Sequence, residues 1–223
     1  MERNVLRDPG AMAELQNLGF LAVPVTVIDG KAIPGFRPDL VKQALGLTAG
    51  PAPRELTEVI SLLNRALPAV ARAISQMPDE KFTWEAPDRP RPMAEFAYHI
   101  PAAVANVASG IDTRKYGPVD PTPWANFKTF AEIAQYGERV AADFKTWIVT
   151  HDLSELRTRA PEGSDNRIPT QRLDQMAGHT IHHLRQLYWV LREFGIDPKD
   201  PIPDIEFPPE YVLPITNKTG GFL

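Results

Sequence analysis

Hydrophobic residues recur at spacings of three and four along four long segments, which is the pattern of amphipathic α-helices. In the first segment Leu56, Ile60, Leu63 and Leu67 fall on one stripe. Such a stripe is more typical of a core-facing surface than of a ligand site. The pattern predicts a mainly α chain whose four long helices span residues 54–76, 93–111, 130–150 and 170–194.

Prolines mark the gaps between these helices. The chain has 23 of them, about twice the usual share, and most lie in clusters outside the four segments. Pro101 is an exception, because it falls inside the second segment, where it removes a backbone hydrogen bond and crowds the preceding turn. We expect a kink at Pro101, or alternatively a helix that begins late or breaks there.

The first fifty residues follow a different period. Their pattern alternates between β-branched runs and short amphipathic stretches, with Pro9 at a good first-turn position and Asp29-Gly30 as a turn. The predicted order is β-α-β-β-α, with strand-like residues 2–6, a helix at 8–18, strands at 23–28 and 31–36, and a helix at 38–45.

Composition narrows the function classes. The net charge of -4 carries no basic run that could follow a nucleic-acid backbone. No segment has about eighteen uninterrupted apolar residues, and the start lacks an apolar signal core. We therefore expect a cytoplasmic protein that binds neither nucleic acid nor membrane. The absence of cysteine excludes disulfides and thiolate ligands, so the chemistry must come from a metal, carboxylates, histidine or a borrowed thiol.

Three of the five histidines lie within residues 179–183. His179 and His183 are four apart and share a helical face, so both can reach one metal ion. A third ligand is needed, and His99 lies in another amphipathic segment about eighty residues upstream. These three form the candidate metal site. The alternative is an ordinary pair of hydrogen-bonded histidines with no ion.

Other polar residues near these histidines have two interpretations. Glu95 and Gln186 fall on the same faces as the ligands and could orient their imidazoles, although Glu95 could equally form a surface ion pair. His182 lies about 100° round the helix from His183, so we assign it to packing or an inter-helix hydrogen bond. His151 follows a helix end, where positive charge is favourable, and no chemistry is expected there.

The segment 179–198, which reads HTIHHLRQLYWVLREFGIDP, resembles the last core helix of the DinB/YfiT-like family. The family's His-x-x-(His)-His pair, its glutamine three residues later and its Leu-Arg-x-x-Gly-x-x-Pro ending are matched by His179, His182, His183, Gln186, Leu191, Arg192, Gly195 and Pro198. The resemblance implies a four-helix bundle over about residues 53–198. It also implies a third ligand from the second helix, where Tyr98-His99-Ile100 lies, and hence the set His99, His179 and His183.

In characterised thiol-dependent members of that family, the metal activates a low-molecular-weight thiol for transfer to an electrophile or for isomerisation. The resemblance makes this the leading function, with zinc or nickel favoured and iron or manganese as alternatives. It names no catalytic side chain beyond the ligands. Two other functions stay open: a non-catalytic metal-binding bundle, and a dimerisation module with a vestigial site.

Residues 1–47 resemble the later part of a glutaredoxin-like thioredoxin fold. Pro24, after Val23, takes the cis-proline position, and Gly35-Phe36 takes the Gly-Phe step. The half that carries Cys-x-x-Cys is absent, which excludes dithiol exchange. Either the chain is truncated from a longer fusion, or the segment is a cysteine-free remnant that packs on the bundle or forms a homodimer.

The predicted organisation has four parts. Residues 1–47 form the partial glutaredoxin-like α/β segment, 48–53 a linker, 54–198 the bundle, and 199–223 a proline-rich tail. The tail carries apolar residues and is expected to pack rather than remain free; these residues are Phe207, Tyr211, Val212 and Leu213.

Overall fold

A computed structural model describes residues 5, 8–20, 24–35, 38–46, 54–86, 89–117, 119–120, 122–158 and 168–212. The chain divides into two compact units, residues 1–53 and 54–223. The candidate histidines all belong to the second unit. Among the described helices, none combines the length and the hydrophobicity that a membrane crossing requires.

The first unit contains helix α1 (Pro9–Asn17), strands β1 (Val25–Ile28) and β2 (Lys31–Pro34), and helix α2 (Pro38–Ala44). The strands pair antiparallel around Asp29 and Gly30, which both have positive φ angles, as a tight hairpin turn requires. The observed α-β-β-α order agrees with the predicted one. The predicted first strand, residues 2–6, lies mostly outside the described residues.

The second unit is built on four long helices: α3 (Leu56–Ile74), α4 (Met93–Thr113), α5 (Phe130–Thr150) and α7 (Pro169–Glu193). α3 packs against α5 and α7, and α4 packs against the same two helices, so α3 and α4 are diagonal. Their apolar faces form one buried core. The prediction of a mainly helical fold is confirmed, with ends within two residues of those predicted from the periodicity.

Local sequence fixes where the later helices begin. At the start of α5, Thr129 Oγ1 accepts a hydrogen bond from the Glu132 amide, and Glu132 Oε2 accepts one from the Thr129 amide, which forms a capping box. α7 begins at Pro169, a favourable first position. It ends before Gly195, whose φ of 76° suits a helix C-terminus.

A short hairpin precedes α4. Strands β3 (Glu85–Ala86) and β4 (Arg89–Pro92) pair antiparallel, in a stretch that the proline clusters had indicated only as a gap. The amides of Met93 and Ala94 donate to the carbonyls of Trp84 and Phe82, at 2.8 and 3.0 Å. These bonds satisfy amides that a helix start leaves unpaired. They fix the start of α4 at Met93, ahead of His99 in the same helix.

Helix α4 runs unbroken through Pro101. The alternative that the helix begins late or breaks at this residue is therefore wrong, whereas the kink stays a prediction. Pro101 is buried, and its Cγ lies 3.8 Å from the position that a Cβ would take at Gly137. The proline therefore packs against α5 at Gly137.

Residues 199–212, which we call the tail strap, run back along α7. Asp204 accepts two hydrogen bonds from Arg185 at 2.8 and 2.9 Å, the Ile202 amide donates to Tyr188 Oη at 3.2 Å, and Phe207 is buried. The strap therefore packs, as predicted. Leu213 lies outside the described residues. A further short helix, α6 (Leu153–Thr158), was not predicted.

Candidate metal centre

The three predicted ligands meet between α4 and α7. His99 lies on α4, and His179 and His183 lie one turn apart on α7. One ring nitrogen from each histidine can be chosen so that all three lie within 4.8 Å of one another. Their ring centroids are 5.1 Å apart for His99 and His179, 5.9 Å for His99 and His183, and 4.3 Å for His179 and His183. We call this group the histidine triad.

The closest contact in the triad joins His99 Nε2 and His179 Nε2, which are 3.1 Å apart. In the metal-free chain, one of these nitrogens must carry a proton and donate to the other. Two nitrogens bound to one tetrahedral zinc at about 2.1 Å would be separated by roughly 3.4 Å. The observed separation is therefore close to the spacing of two ligands on a single ion.

His183 is oriented by a neighbour on its own helix. Its Nδ1 donates to Gln186 Oε1 at 2.6 Å, and both side chains are buried. The bond fixes the tautomer, because a proton on Nδ1 leaves Nε2 with its lone pair. Gln186 therefore lies where the sequence suggested an orienting residue. It contacts Nδ1 of His183 and leaves Nε2 free of this contact.

The surroundings of two of the three histidines keep their imidazoles uncharged. Burial, followed by the positive charge that His99 would carry, lowers the pKa of His179 to about 3. Burial and the proximity of His179 hold the pKa of His183 well below its usual range, although the bond to Gln186 acts in the opposite direction. Both imidazoles are thus neutral at neutral pH. Neutral imidazole is the form that binds metals.

His179 contains a polar atom whose partner is missing in the described part of the chain. Its Nδ1 is buried without a hydrogen bond there. A buried polar atom without a partner has a free-energy cost. Coordination of an ion by the other nitrogen, Nε2, would hold the ring in this orientation and offset the cost. The donor set, its spacing and its neutrality therefore fit a divalent transition metal, because such an ion accepts imidazole nitrogen.

His182 belongs to another surface of α7. Tyr211 of the tail strap lies against Gly178, 3.0 Å from the position of an added Cβ, and Asp204 pairs with Arg185. His182 is four residues after Gly178 and three before Arg185, so it shares their face. Burial, then the charge of Arg185, lowers its pKa. Neither of its ring nitrogens has a hydrogen bond within the described residues. The expected inter-helix hydrogen bond is therefore not supported, and packing is the role that remains for His182.

Glu95 forms the ion pair that was its alternative role. Its Oε1 accepts a hydrogen bond from Arg91 Nε at 3.1 Å, and the two side chains are 25% and 16% exposed. The structure does not place Glu95 on a ring nitrogen of the triad in any described contact. A role in orienting His99 stays a prediction.

His151 lies at the end of α5, remote from the triad in sequence. Its Nδ1 is 2.6 Å from the Trp147 carbonyl, and its Nε2 is 2.9 Å from Asp112 Oδ1. The Trp147 carbonyl belongs to α5 and the Asp112 carboxylate to α4, so the two ring nitrogens face acceptors on two different helices. The residue joins the ends of α4 and α5, as expected for a structural histidine.

Two residues near the triad were not singled out from the sequence. The Phe96 ring meets the His183 ring edge-on, with centroids 5.2 Å apart, and the Arg91 guanidinium lies 5.8 Å from the centre of Phe96. Phe96 is three residues before His99, so helical spacing could have identified it. Arg91 lies in the hairpin, where periodicity gives no signal.

In the first unit, Pro24 precedes β1, and its carbonyl accepts a hydrogen bond from the Gly35 amide at 2.8 Å. This bond closes the base of the hairpin. Val23 and Phe36, which complete the two glutaredoxin-like steps, lie outside the described residues. The resemblance of this unit to a thioredoxin fold stays a prediction.

Comparison with known proteins identifies a family for most of the second unit. The family model described as the DinB superfamily matches residues 62–187. The matched range contains the whole triad and Gln186. Comparison with the curated proteins gave no match.

Proposed function

The chain belongs to the DinB superfamily, and we propose that its histidine triad binds one divalent metal ion in a site that activates a low-molecular-weight thiol. The ligands are His99, His179 and His183. Gln186 keeps Nε2 of His183 available by accepting a hydrogen bond from the Nδ1–H group of that ring. The observation that carries the proposal is the convergence of three ring nitrogens within 4.8 Å in a helical interface.

Three protein ligands are fewer than a divalent ion accepts, so a position remains for an exogenous ligand. A bound divalent ion lowers the pKa of a coordinated thiol or water and so supplies a nucleophile near neutral pH. The chain itself contains no cysteine, so the thiol must come from outside. Transfer of that thiol to an electrophile, or isomerisation with the thiol as cofactor, is the proposed reaction class.

The protein's own residues provide the setting. His183 is buried, whereas His99 and His179 are partly exposed, so a ligand would approach from the side of His99 and His179. Phe96 packs edge-on against His183 and excludes water from that side of the ring. Zinc or nickel is the proposed metal, with iron or manganese as alternatives.

A second function is a structural brace, in which the ion only holds α4 against α7. The deep burial of His183 and its bond to Gln186 favour this candidate. The two functions differ in whether an exogenous ligand reaches the metal. Binding of a small thiol to metal-loaded protein supports the first, and metal uptake with no thiol binding supports the brace.

The decisive experiment is metal analysis of protein purified without a histidine tag. Mass spectrometry should find about one divalent ion per chain, and a His99→Ala variant prepared in parallel should lose it. Metal-loaded protein is then assayed for transfer of several low-molecular-weight thiols to a chromogenic electrophile. Absence of metal, with no uptake of added zinc, nickel or manganese, would overturn the proposal.

We also propose that residues 1–47 are the later part of a glutaredoxin-like fold and support homodimer formation. The α1-β1-β2-α2 order is compatible with this. Sedimentation of the full chain and of residues 54–223 tests it. A dimer that becomes a monomer on removal of the first unit supports the proposal, whereas an unchanged association state contradicts it.

A further inference from the structure

Four arginine side chains hold the tail strap against the bundle. Arg65 and Arg72 lie on α3, Arg54 lies two residues before that helix, and Arg185 lies on α7. Arg65 and Arg72 are about two helical turns apart, so they fall on one side of α3. We call these four residues the strap arginines.

Three of the strap arginines are paired with a carboxylate of the strap. The pairs are Arg185 with Asp204, Arg65 with Glu206, and Arg54 with Glu210. The fourth, Arg72, donates to the main-chain carbonyls of Lys199 and Asp200, at 3.3 and 2.7 Å. The strap therefore meets a guanidinium group near each of its ends and at two positions between them.

This row of cations matches an extended segment of chain better than a small anion. Arg54 and Arg72 are 18 residues apart, which is roughly 27 Å along a helix, so a small anion is too short to bridge them. Apolar contacts accompany the ion pairs, because Phe207 is buried and Tyr211 packs over Gly178. The surface therefore fits an acidic peptide segment with aromatic side chains, rather than a small anion or a phosphate backbone.

Most of the strap is exposed. Among residues 199–212, all of which the structure describes, only Phe207 is buried. The side chains of Arg65 and Glu206 are 43% and 48% exposed, and ion pairs at such positions contribute little to stability. Asp200 has a φ of 45°, which is unfavourable for a residue other than glycine. One buried ring and several weak polar contacts therefore hold the strap in place.

The strap also leaves polar atoms beside it without partners. His182 lies next to Gly178 and Arg185, which the strap contacts. Neither of its ring nitrogens, nor Nε of Arg54, has a hydrogen bond within the described residues. Buried polar atoms without partners have a free-energy cost. A segment that brings further polar groups to this surface would remove that cost.

We propose that the strap arginines form a docking surface for an acidic, aromatic-containing peptide segment of a partner protein. The chain's own strap occupies this surface and must leave it before the partner binds. The strap shows which chemistry the surface accepts: carboxylates at the spacing of Asp204, Glu206 and Glu210, and an aromatic ring at the position of Phe207.

A synthetic peptide with the sequence of residues 199–212, labelled with fluorescein, tests the proposal on the full chain. The neutral-strap variant carries Asp204→Asn, Glu206→Gln and Glu210→Gln, which remove the three ion pairs and keep Phe207. Fluorescence anisotropy at low salt should show at least about tenfold tighter peptide binding to this variant than to the wild type. The reason is that the tethered wild-type strap competes at a high effective concentration.

Matched changes separate docking from non-specific attraction. Arg65→Gln together with Arg185→Gln, added to the neutral-strap variant, should weaken peptide binding by at least about tenfold. Arg139→Gln removes an exposed cation from α5 and should leave binding unchanged. A peptide that carries the three neutral substitutions should bind at least about tenfold more weakly than the acidic one.

A milder change keeps the test usable if the neutral-strap variant is misfolded by circular dichroism. Glu206→Gln alone removes one exposed ion pair, and it should still raise the affinity for the acidic peptide by about twofold or more.

Several results would overturn the proposal. These are peptide binding no tighter to the strap variants than to the wild type, equal binding of the acidic and neutral peptides, and binding that survives loss of Arg65 and Arg185. A dimer in sedimentation that the neutral-strap changes dissociate would show that straps exchange between two copies, and it would overturn the partner assignment. None of these measurements depends on metal, so they leave the proposed metal site untouched.

Discussion

Two faces of one helix carry neighbouring histidines with different surroundings. The ligand face of α7 presents His179, His183 and Gln186 towards α4, where His99 completes the triad. The strap face, whose contacts are made by Asp174, Gly178, Arg185 and Tyr188, is covered by residues 199–212. His182 lies at the border of the strap face, next to Gly178 and Arg185, whereas His183 lies on the ligand face. Position round the helix, and not residue type, therefore decides which imidazole belongs to the triad.

The largest expected difference between the faces is in metal affinity. His183→Ala removes a ligand and should weaken zinc binding by more than about 100-fold, since loss of an outer partner alone costs roughly 10- to 100-fold. His182→Ala should leave zinc binding within about twofold, because His182 is not one of the three histidines whose ring nitrogens lie within 4.8 Å of one another. Competition titration with a chromogenic chelator measures both. Equal losses from the two variants would contradict the assigned geometry, and no loss from either would contradict the site.

The strap face should show its importance in folding stability instead. Phe207→Ala removes a buried ring and should lower the free energy of unfolding by about 3–5 kcal/mol, measured by urea denaturation. Ile205→Ala is the matched control, because that side chain is 92% exposed and should change stability by less than about 0.5 kcal/mol. A Phe207→Ala variant as stable as the control would show that the strap does not stabilise the unit.

The orienting bond on the ligand face should have an intermediate effect. Gln186→Leu keeps the volume but removes the acceptor for His183 Nδ1, so zinc affinity should fall roughly 10- to 100-fold. Gln186→Glu retains an acceptor and should retain most of the affinity. On the strap face, Tyr188→Phe removes the acceptor for the Ile202 amide and should leave zinc affinity unchanged. A Gln186→Leu variant with wild-type affinity would remove the orienting role.

Acid should destabilise the metal-free protein through both faces. The pKa values of His179, His182 and His183 are lowered, so below pH 6.5 the unfolded state binds protons that the folded state does not. Stability is therefore present above this pH and is lost as the pH falls, by up to about 1.4 kcal/mol per pH unit for each histidine. His182→Leu should reduce the loss measured by urea unfolding between pH 7 and pH 5. An unchanged loss would show that the strap-face histidine is not protonated on unfolding.

Residues with local signals were predictable from the sequence. The 3.6-residue period predicts α5 at its observed bounds, and the spacing of His179 and His183 predicts their shared face. The tail path was not predictable in detail, because it depends on contacts such as Arg185 with Asp204, which are distant from any local pattern. The hairpin before α4 was missed because Pro90 and Pro92 read as breakers, although an isolated two-strand ribbon tolerates proline.

The separation of the ligands along the chain has a consequence for chain entropy. His99 and His179 are 80 residues apart, so an ion held between them would close a long loop in the unfolded protein as a cross-link does. By the relation for covalent loops of this length, the restriction is worth on the order of 4 kcal/mol if the link survives unfolding. Unfolding with the ion still bound would therefore be less favourable than unfolding after the ion has left. The lifetime of the folded chain would then depend on how slowly the ion dissociates.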